Sequence, residues 1–170
     1  MKVGIIGSGT MGSGIAQVAS TANCEVVLFD VKEEALNKSK EALAKVMSRL
    51  VEKAKLTEES AKQIQERIQY STSLTDFKGS DLVIEAIVEN IDIKRKVFRE
   101  VEQIVGAECI IASNTSSLSI ASLAASLENA ERFIGVHFFN PAPLMKLVEV
   151  IPAIQTSKEV LEKTLKTIKD

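Results

Sequence analysis

Lys2-Val3-Gly4-Ile5-Ile6-Gly7-Ser8-Gly9-Thr10-Met11-Gly12 is the stretch whose reading decides the fold. A short apolar run is halted by a Gly-x-Gly-x-x-Gly turn, and Thr10–Thr21 then carries small side chains suited to a helix packed on a sheet. Such a hexapeptide alone is matched by chance. A strand before it and a helix after it turn it into a fingerprint for a dinucleotide pyrophosphate. Gly7 permits the tight turn, Gly9 lets the backbone approach the phosphates, and Gly12 lets the helix lie close on the strand. The phosphates then meet the positive end of the helix. Ser8, Thr10 and Met11 share this turn and join the three glycines as cofactor-binding candidates.

The next apolar run, Glu25–Phe29, ends at Asp30, 23 positions after Gly7. A carboxylate there accepts hydrogen bonds from the adenine-ribose hydroxyls and repels a 2′-phosphate, which points to NAD. Asp30 also suits the cap of the helix that follows, and the two roles are compatible. Lys32 leaves room for NADP, although no arginine follows Asp30 directly.

Beyond this point strand and helix patterns alternate, which argues for an α/β fold: a Rossmann-type, doubly wound, mostly parallel sheet. Residues 32–56 place Leu36, Leu43, Val46, Met47 and Leu50 at helical period. Thr57, ahead of Glu58 and Glu59, starts a second helix running to Arg67. This helical pair, inserted after the second strand, is long for a plain crossover. Further strands are expected at residues 68–71, 82–86, 109–112, 133–138 and 147–151, with helices at 91–105 and 119–125. Pro141 and Pro143 make 140–143 a loop, because proline removes ladder donors. Residues 157–170 read as an amphipathic linker helix whose Val160, Leu161, Leu165 and Ile168 need an apolar partner. Glu85 stands in an apolar strand and needs a buried partner that the sequence does not identify.

Composition narrows the function classes. Twenty-one basic and 23 acidic side chains give a net charge of -2, unlike the basic footprint of a nucleic-acid binder. Cys24 and Cys109 lie beside apolar runs and read as buried, reduced thiols. The single histidine has no Cys or His neighbour at ligand spacing, so no metal site is expected. The N-terminus lacks a charged cluster and the roughly 20 apolar residues that span a bilayer. A cytoplasmic protein is expected, or an organellar one without its transit peptide, with no membrane or nucleic-acid partner.

If imidazole chemistry occurs in this chain, it occurs at His137. A lone histidine beside Phe138 and Phe139 is by default a core residue. Its place at the end of a late strand of a doubly wound sheet, where ligands bind, favours a functional role. Glu149, in the next strand segment, is placed to reach the second ring nitrogen, fixing the tautomer and stabilising the imidazolium.

Four segments, Gly7–Gly12, Glu85-Ala-Ile-Val-Glu-Asn90, Ser113-Asn-Thr-Ser-Ser-Leu118 and Gly135-Val-His-Phe-Phe-Asn-Pro-Ala142, resemble the 3-hydroxyacyl-CoA dehydrogenases. They cover nearly the whole chain in the right order, with the short-chain 3-hydroxybutyryl-CoA enzymes as the nearest subgroup. The resemblance implies His137 as general base and Glu149 as its orienting partner. It implies cofactor contacts from Glu89 and Lys94, a Ser116 between nicotinamide and substrate, and an Asn140 that positions both. Lys53 matches a position that contacts CoA, while a neighbouring serine contact of the family falls on Val46 here. Each has a plain alternative: Glu89 a helix cap, Lys94 and Lys53 solvated charges, Ser116 one cap among several serines.

The resemblance further implies a fatty-acid or butanoate oxidoreductase with an acyl-CoA substrate. It also implies a helical domain following the NAD-binding domain of residues 1–170, through which the full protein forms a homodimer. Two other readings stay open: a NAD-holding module with little turnover of its own, and a Rossmann dehydrogenase of free hydroxyacids.

Overall fold

The computed structural model describes residues 1–169. Seven strands form one sheet: β1 (Lys2–Ile6), β2 (Glu25–Phe29), β3 (Ile68–Ser71), β4 (Leu82–Glu85), β5 (Ile110–Ser113), β6 (Phe133–Phe138) and β7 (Val148–Pro152). Their order is β3-β2-β1-β4-β5-β6-β7. All neighbours run parallel except β6 and β7, which are antiparallel. The chain reverses its direction of winding between β1 and β4, so loops after these strands open a crevice at their C-terminal ends.

Helices cover both faces, because parallel strands joined by crossovers must bury both sides. Strand residues therefore alternate between two apolar layers: Val26 and Leu28 point into one, Val27 and Phe29 into the other. The first layer is closed by α1 (Thr10–Thr21), α2 (Glu33–Glu52), α3 (Glu58–Glu66) and α6 (Lys158–Lys169), the second by α4 (Ile91–Glu102) and α5 (Ile120–Ala124). In the second layer Phe98 and Phe133 meet edge to face with centroids 4.9 Å apart.

Every expected strand and helix is present, with boundaries moved for local reasons. The helix expected over 32–56 stops at Glu52, because Ala54 turns left-handed at φ 53° and lets Lys55 N–H and Leu56 N–H bond back to the Leu50 carbonyl. The 91–105 helix ends at Glu102, and the 109–112 and 147–151 strands each shift by one residue. Pro152 is admitted at the end of β7 since that strand lies at the sheet edge. A short 3-10 turn at Leu74–Phe77, unforeseen in the sequence, buries Phe77 against Gly4 and Phe29.

The tail helix corrects an expectation. Val160, Leu161 and Ile168 do not await an outside partner but pack on the first apolar layer, leaving Leu165 exposed. The Thr164 hydroxyl, buried in the same face, bonds the Val160 carbonyl. Asp170 lies outside the described residues. Both cysteines are free and buried, as expected.

Candidate active site

The glycine turn sits where β1 hands over to α1. Gly7 has φ 99°, in the left-handed region, and a Cβ on it would stand 2.7 Å from the Ala86 carbonyl oxygen. A Cβ on Gly12 would stand 1.7 Å from the Gly7 carbonyl oxygen, so helix and turn touch backbone to backbone. Gly9 differs: nothing lies within 4 Å of its would-be Cβ. It is the N-cap of α1, with no side-chain cap and no acidic residue in the first turn. An open, unfilled surface at an uncapped helix start is the physical form of a pyrophosphate cradle, and these residues fit the dinucleotide.

Asp30 lies directly beyond β2 and reaches back to the turn. Its Oδ2 accepts from the Ser8 N–H and hydroxyl, both at 2.9 Å, and its Oδ1 accepts from the Lys32 N–H at 3.0 Å. Partial burial would raise this carboxyl. The Ser8 and Lys32 N–H groups, the Ser8 hydroxyl and the Lys32 charge outweigh it and hold Asp30 below the usual range. A carboxylate has about four acceptor sites, so three protein donors leave room for a ribose hydroxyl.

At the other end of the crevice His137 and Glu149 are paired across β6 and β7. Nδ1 of His137 lies 2.8 Å from Oε2 of Glu149, with the imidazole 17% exposed and the carboxylate 51% exposed. An ionised carboxylate only accepts, so in this contact Nδ1–H is the donor. The Phe139 ring stands 4.7 Å from the imidazole.

Between these ends lies a polar cluster that the sequence reading saw only in part. Glu85, wholly buried, accepts from the Lys94 ammonium at 2.5 Å, the Ser113 hydroxyl at 2.6 Å and the Ile87 N–H at 2.7 Å. Lys94 is the partner that Glu85 required; its side chain is 1% exposed and also meets Glu89 at 3.0 Å. Glu89 accepts from the hydroxyls of Thr115 and Ser117 as well. Burial alone would raise the Glu89 carboxyl, but the Thr115 hydroxyl, the Lys94 ammonium and the Ser117 hydroxyl hold it low. The cap of α4 is Asn90, whose side chain accepts from Asp92 and Ile93, so Glu89 is free of that duty.

Ser116 is exposed in the loop after β5, and Asn140 is exposed just past β6, where its bond to Pro141 is cis. Asn114, which sequence reasoning passed over, joins these two loops: its N–H bonds the Glu85 carbonyl at 2.8 Å and its Oδ1 accepts from the Phe138 N–H at 2.8 Å. An amide between two strand ends was the available signal. Lys53 is exposed just past α2, and Val46 is exposed on that helix. Among the described residues no group of acidic, Cys and His side chains is arranged to hold a metal, and no helix is long and apolar enough to cross a membrane.

The glycine turn, the carboxylate just past β2 and a sheet reversing between β1 and β4 define a dinucleotide-binding domain of the Rossmann type. Residues 2–170 match the family described as "3-hydroxyacyl-CoA dehydrogenase, NAD binding domain", and the chain belongs to that family. The dinucleotide is thus NAD. The chain is similar to a probable 3-hydroxybutyryl-CoA dehydrogenase of Deinococcus radiodurans, 50% identical over 94% of this chain and 57% of the relative. It is 45% identical to a 3-hydroxybutyryl-CoA dehydrogenase of Bradyrhizobium diazoefficiens over 95% of this chain and 55% of that one. The crystal structure of (S)-3-hydroxybutyryl-CoA dehydrogenase from Ralstonia eutropha superposes with a TM-score of 0.96 at 46% identity, covering 99% of this chain and 59% of that one. The chain therefore spans a little over half the length of these relatives.

Proposed function

We propose that this chain is the NAD-binding domain of an enzyme that interconverts 3-hydroxyacyl-CoA and 3-ketoacyl-CoA, acting on short chains such as 3-hydroxybutyryl-CoA. The observation that carries the reading is the His137–Glu149 pair, 2.8 Å apart at the C-terminal end of the parallel strands. NAD, when bound, supplies the hydride acceptor for the alcohol carbon. The chain must then remove the hydroxyl proton, and His137 Nε2 takes it while Glu149 steadies the imidazolium through Nδ1–H. In reduction the same nitrogen returns the proton to the forming alkoxide.

The exposed Ser116 hydroxyl holds the substrate oxygen, and Asn140 orients substrate and cofactor from the facing loop. Glu89, ionised and half exposed at the rim, contacts the cofactor, and Lys53 binds the CoA moiety. A helical domain, absent from residues 1–170, completes the enzyme and forms the homodimer; the relatives' greater length supports this. The cytoplasm, with its CoA and NAD pools, suits this activity.

The test is a steady-state assay of acetoacetyl-CoA reduction by NADH. It uses this chain alone and the chain fused to the C-terminal half of the Deinococcus radiodurans relative. The fusion turns over, and the single domain binds NADH with very poor turnover, because closure of the site needs the second domain. Reduction of free acetoacetate in preference to its CoA ester would assign the chain to free hydroxyacids instead.

A further inference from the structure

Lys94 is the residue whose position departs most from a plain ligand-contacting role. A lysine meant to touch a dinucleotide presents its ammonium to the cleft, whereas this one is 1% exposed and ends on Glu85 and Glu89. Glu85 is in turn tied into three chain segments. Its carboxylate takes the Ile87 N–H of its own loop and the Ser113 hydroxyl of β5, and its carbonyl takes the Asn114 N–H. Ala86, the next residue, bonds Ile6 and packs under Gly7. Asn114 carries the linkage on to Phe138, the neighbour of His137.

We propose that Lys94 is a positioning residue: with Glu85 it forms a buried brace under the cofactor crevice that sets the loop bearing Ser116 and, through Asn114, the strand end bearing His137. The charged groups meeting there are Glu85 at the end of β4, Glu89 in the loop after it and Lys94 from α4. The β5 side contributes the hydroxyls of Ser113, Thr115 and Ser117. One cation serves two carboxylates. Removing it leaves two carboxylates sharing one site with no cation between them, which favours proton uptake by the pair.

The experiment compares the unmodified chain with Lys94→Met, Glu85→Gln and the double variant. NADH dissociation constants are measured by calorimetry from about pH 5.5 to 8, so that proton uptake by the carboxylate pair is read as a pH dependence. Amide hydrogen exchange of residues 114–119 is followed without cofactor. The brace predicts that both single variants weaken NADH binding, each by about tenfold. Their effects should not add in the double variant. Binding becomes pH-dependent in Lys94→Met, and the double variant loses that dependence. Exchange in 114–119 quickens in both single variants.

A Glu85→Gln chain that binds and exchanges like the unmodified one, beside a weakened Lys94→Met, would overturn the brace and make Lys94 a direct ligand. Should Lys94→Met fail to fold, Asn114→Ala reads the outer end of the same linkage: unchanged exchange at 137–139 would equally overturn it. The exchange arm needs no cofactor, so a chain that did not bind NADH would count against its cofactor assignment while still testing the brace.

Discussion

His137 and Glu149 face each other across an antiparallel strand pair, with Nδ1 and Oε2 2.8 Å apart. The carboxylate is half exposed while the ring is mostly covered. Such a pair orients the imidazole more than it holds the fold. His137→Gln in the two-domain fusion is expected to lower kcat for acetoacetyl-CoA reduction by about 10²–10⁴-fold, the scale of general acid–base catalysis. NADH affinity should stay within about twofold. Glu149→Gln should lower kcat less, with an unchanged thermal midpoint. Near-normal turnover of His137→Gln would return the histidine to a packing role.

The glycine turn separates folding from binding. Gly12→Ala drives a Cβ to 1.7 Å from the Gly7 carbonyl oxygen, where backbone must move. Overpacking of this severity costs about 3 kcal/mol or more, which lowers the midpoint of a chain of this size by about 6–12 °C. Gly9→Ala meets nothing within 4 Å and keeps an extended φ of -67° and ψ of -173°, so its midpoint should not change. Its NADH affinity should fall, by about tenfold or more, because the methyl occupies the phosphate approach. Melting curves and calorimetry on the same samples distinguish the two; equal midpoint losses would contradict the turn geometry.

Cofactor choice rests on Asp30. NADH is expected to bind at least about tenfold tighter than NADPH, roughly 1.4 kcal/mol, since a 2′-phosphate meets a carboxylate. Asp30→Ser should narrow the gap from both sides. Equal dissociation constants in the unmodified chain would make Lys32 a phosphate ligand.

Asp30 also carries a pH signature. Its folded pKa lies below the ordinary 3.8. A depressed carboxyl stabilises the fold fully above its unfolded pKa, and that contribution is lost as pH falls through the lower folded value. Acid unfolding followed by far-ultraviolet dichroism should therefore show Asp30→Asn losing stability less steeply than the unmodified chain below about pH 4. An identical slope would mean that Ser8 and Lys32 give the carboxylate no preference for its charged form.

Cys109 is 2% exposed and its thiol is pushed up to about 12 by burial, the largest influence on it. Cys24, 8% exposed, is likewise raised by burial. Neither is a thiolate near neutrality. Intact mass after iodoacetamide treatment of the native chain should show no adduct, and treatment in urea should show two.

Local pattern carried most of the architecture: alternation of apolar runs and periodic stretches located all the strands, and singled out the Gly7–Gly12 turn and Asp30, which meet through Ser8. What escaped was set by distant partners. Phe77 enters a 3-10 turn because Gly4, 73 positions earlier, leaves space for its ring. Glu85 could be seen to need a buried partner, but finding it in Lys94 required knowing how α4 returns over β4. Asn114 offered no more than an amide just past a strand end, since its partners are the Glu85 carbonyl and the Phe138 N–H. The tail helix was misjudged for a related reason. Its apolar stripe was visible, and the surface awaiting it on β6 and β7 was not.

The antiparallel turn-back of β7 has a bearing on how such domains diversify. Because ladder register aligns Glu149 with His137, the dyad's spacing is held by the strand pair from Ile134↔Pro152 to Phe138↔Val148. The outer part of the loop between, residues 144–147, lies outside that ladder and presents Leu144 and Leu147 outward. Its chemistry can drift without disturbing the His137–Glu149 contact. Natural selection can thus remodel what this rim presents while inheriting the paired side chains unchanged.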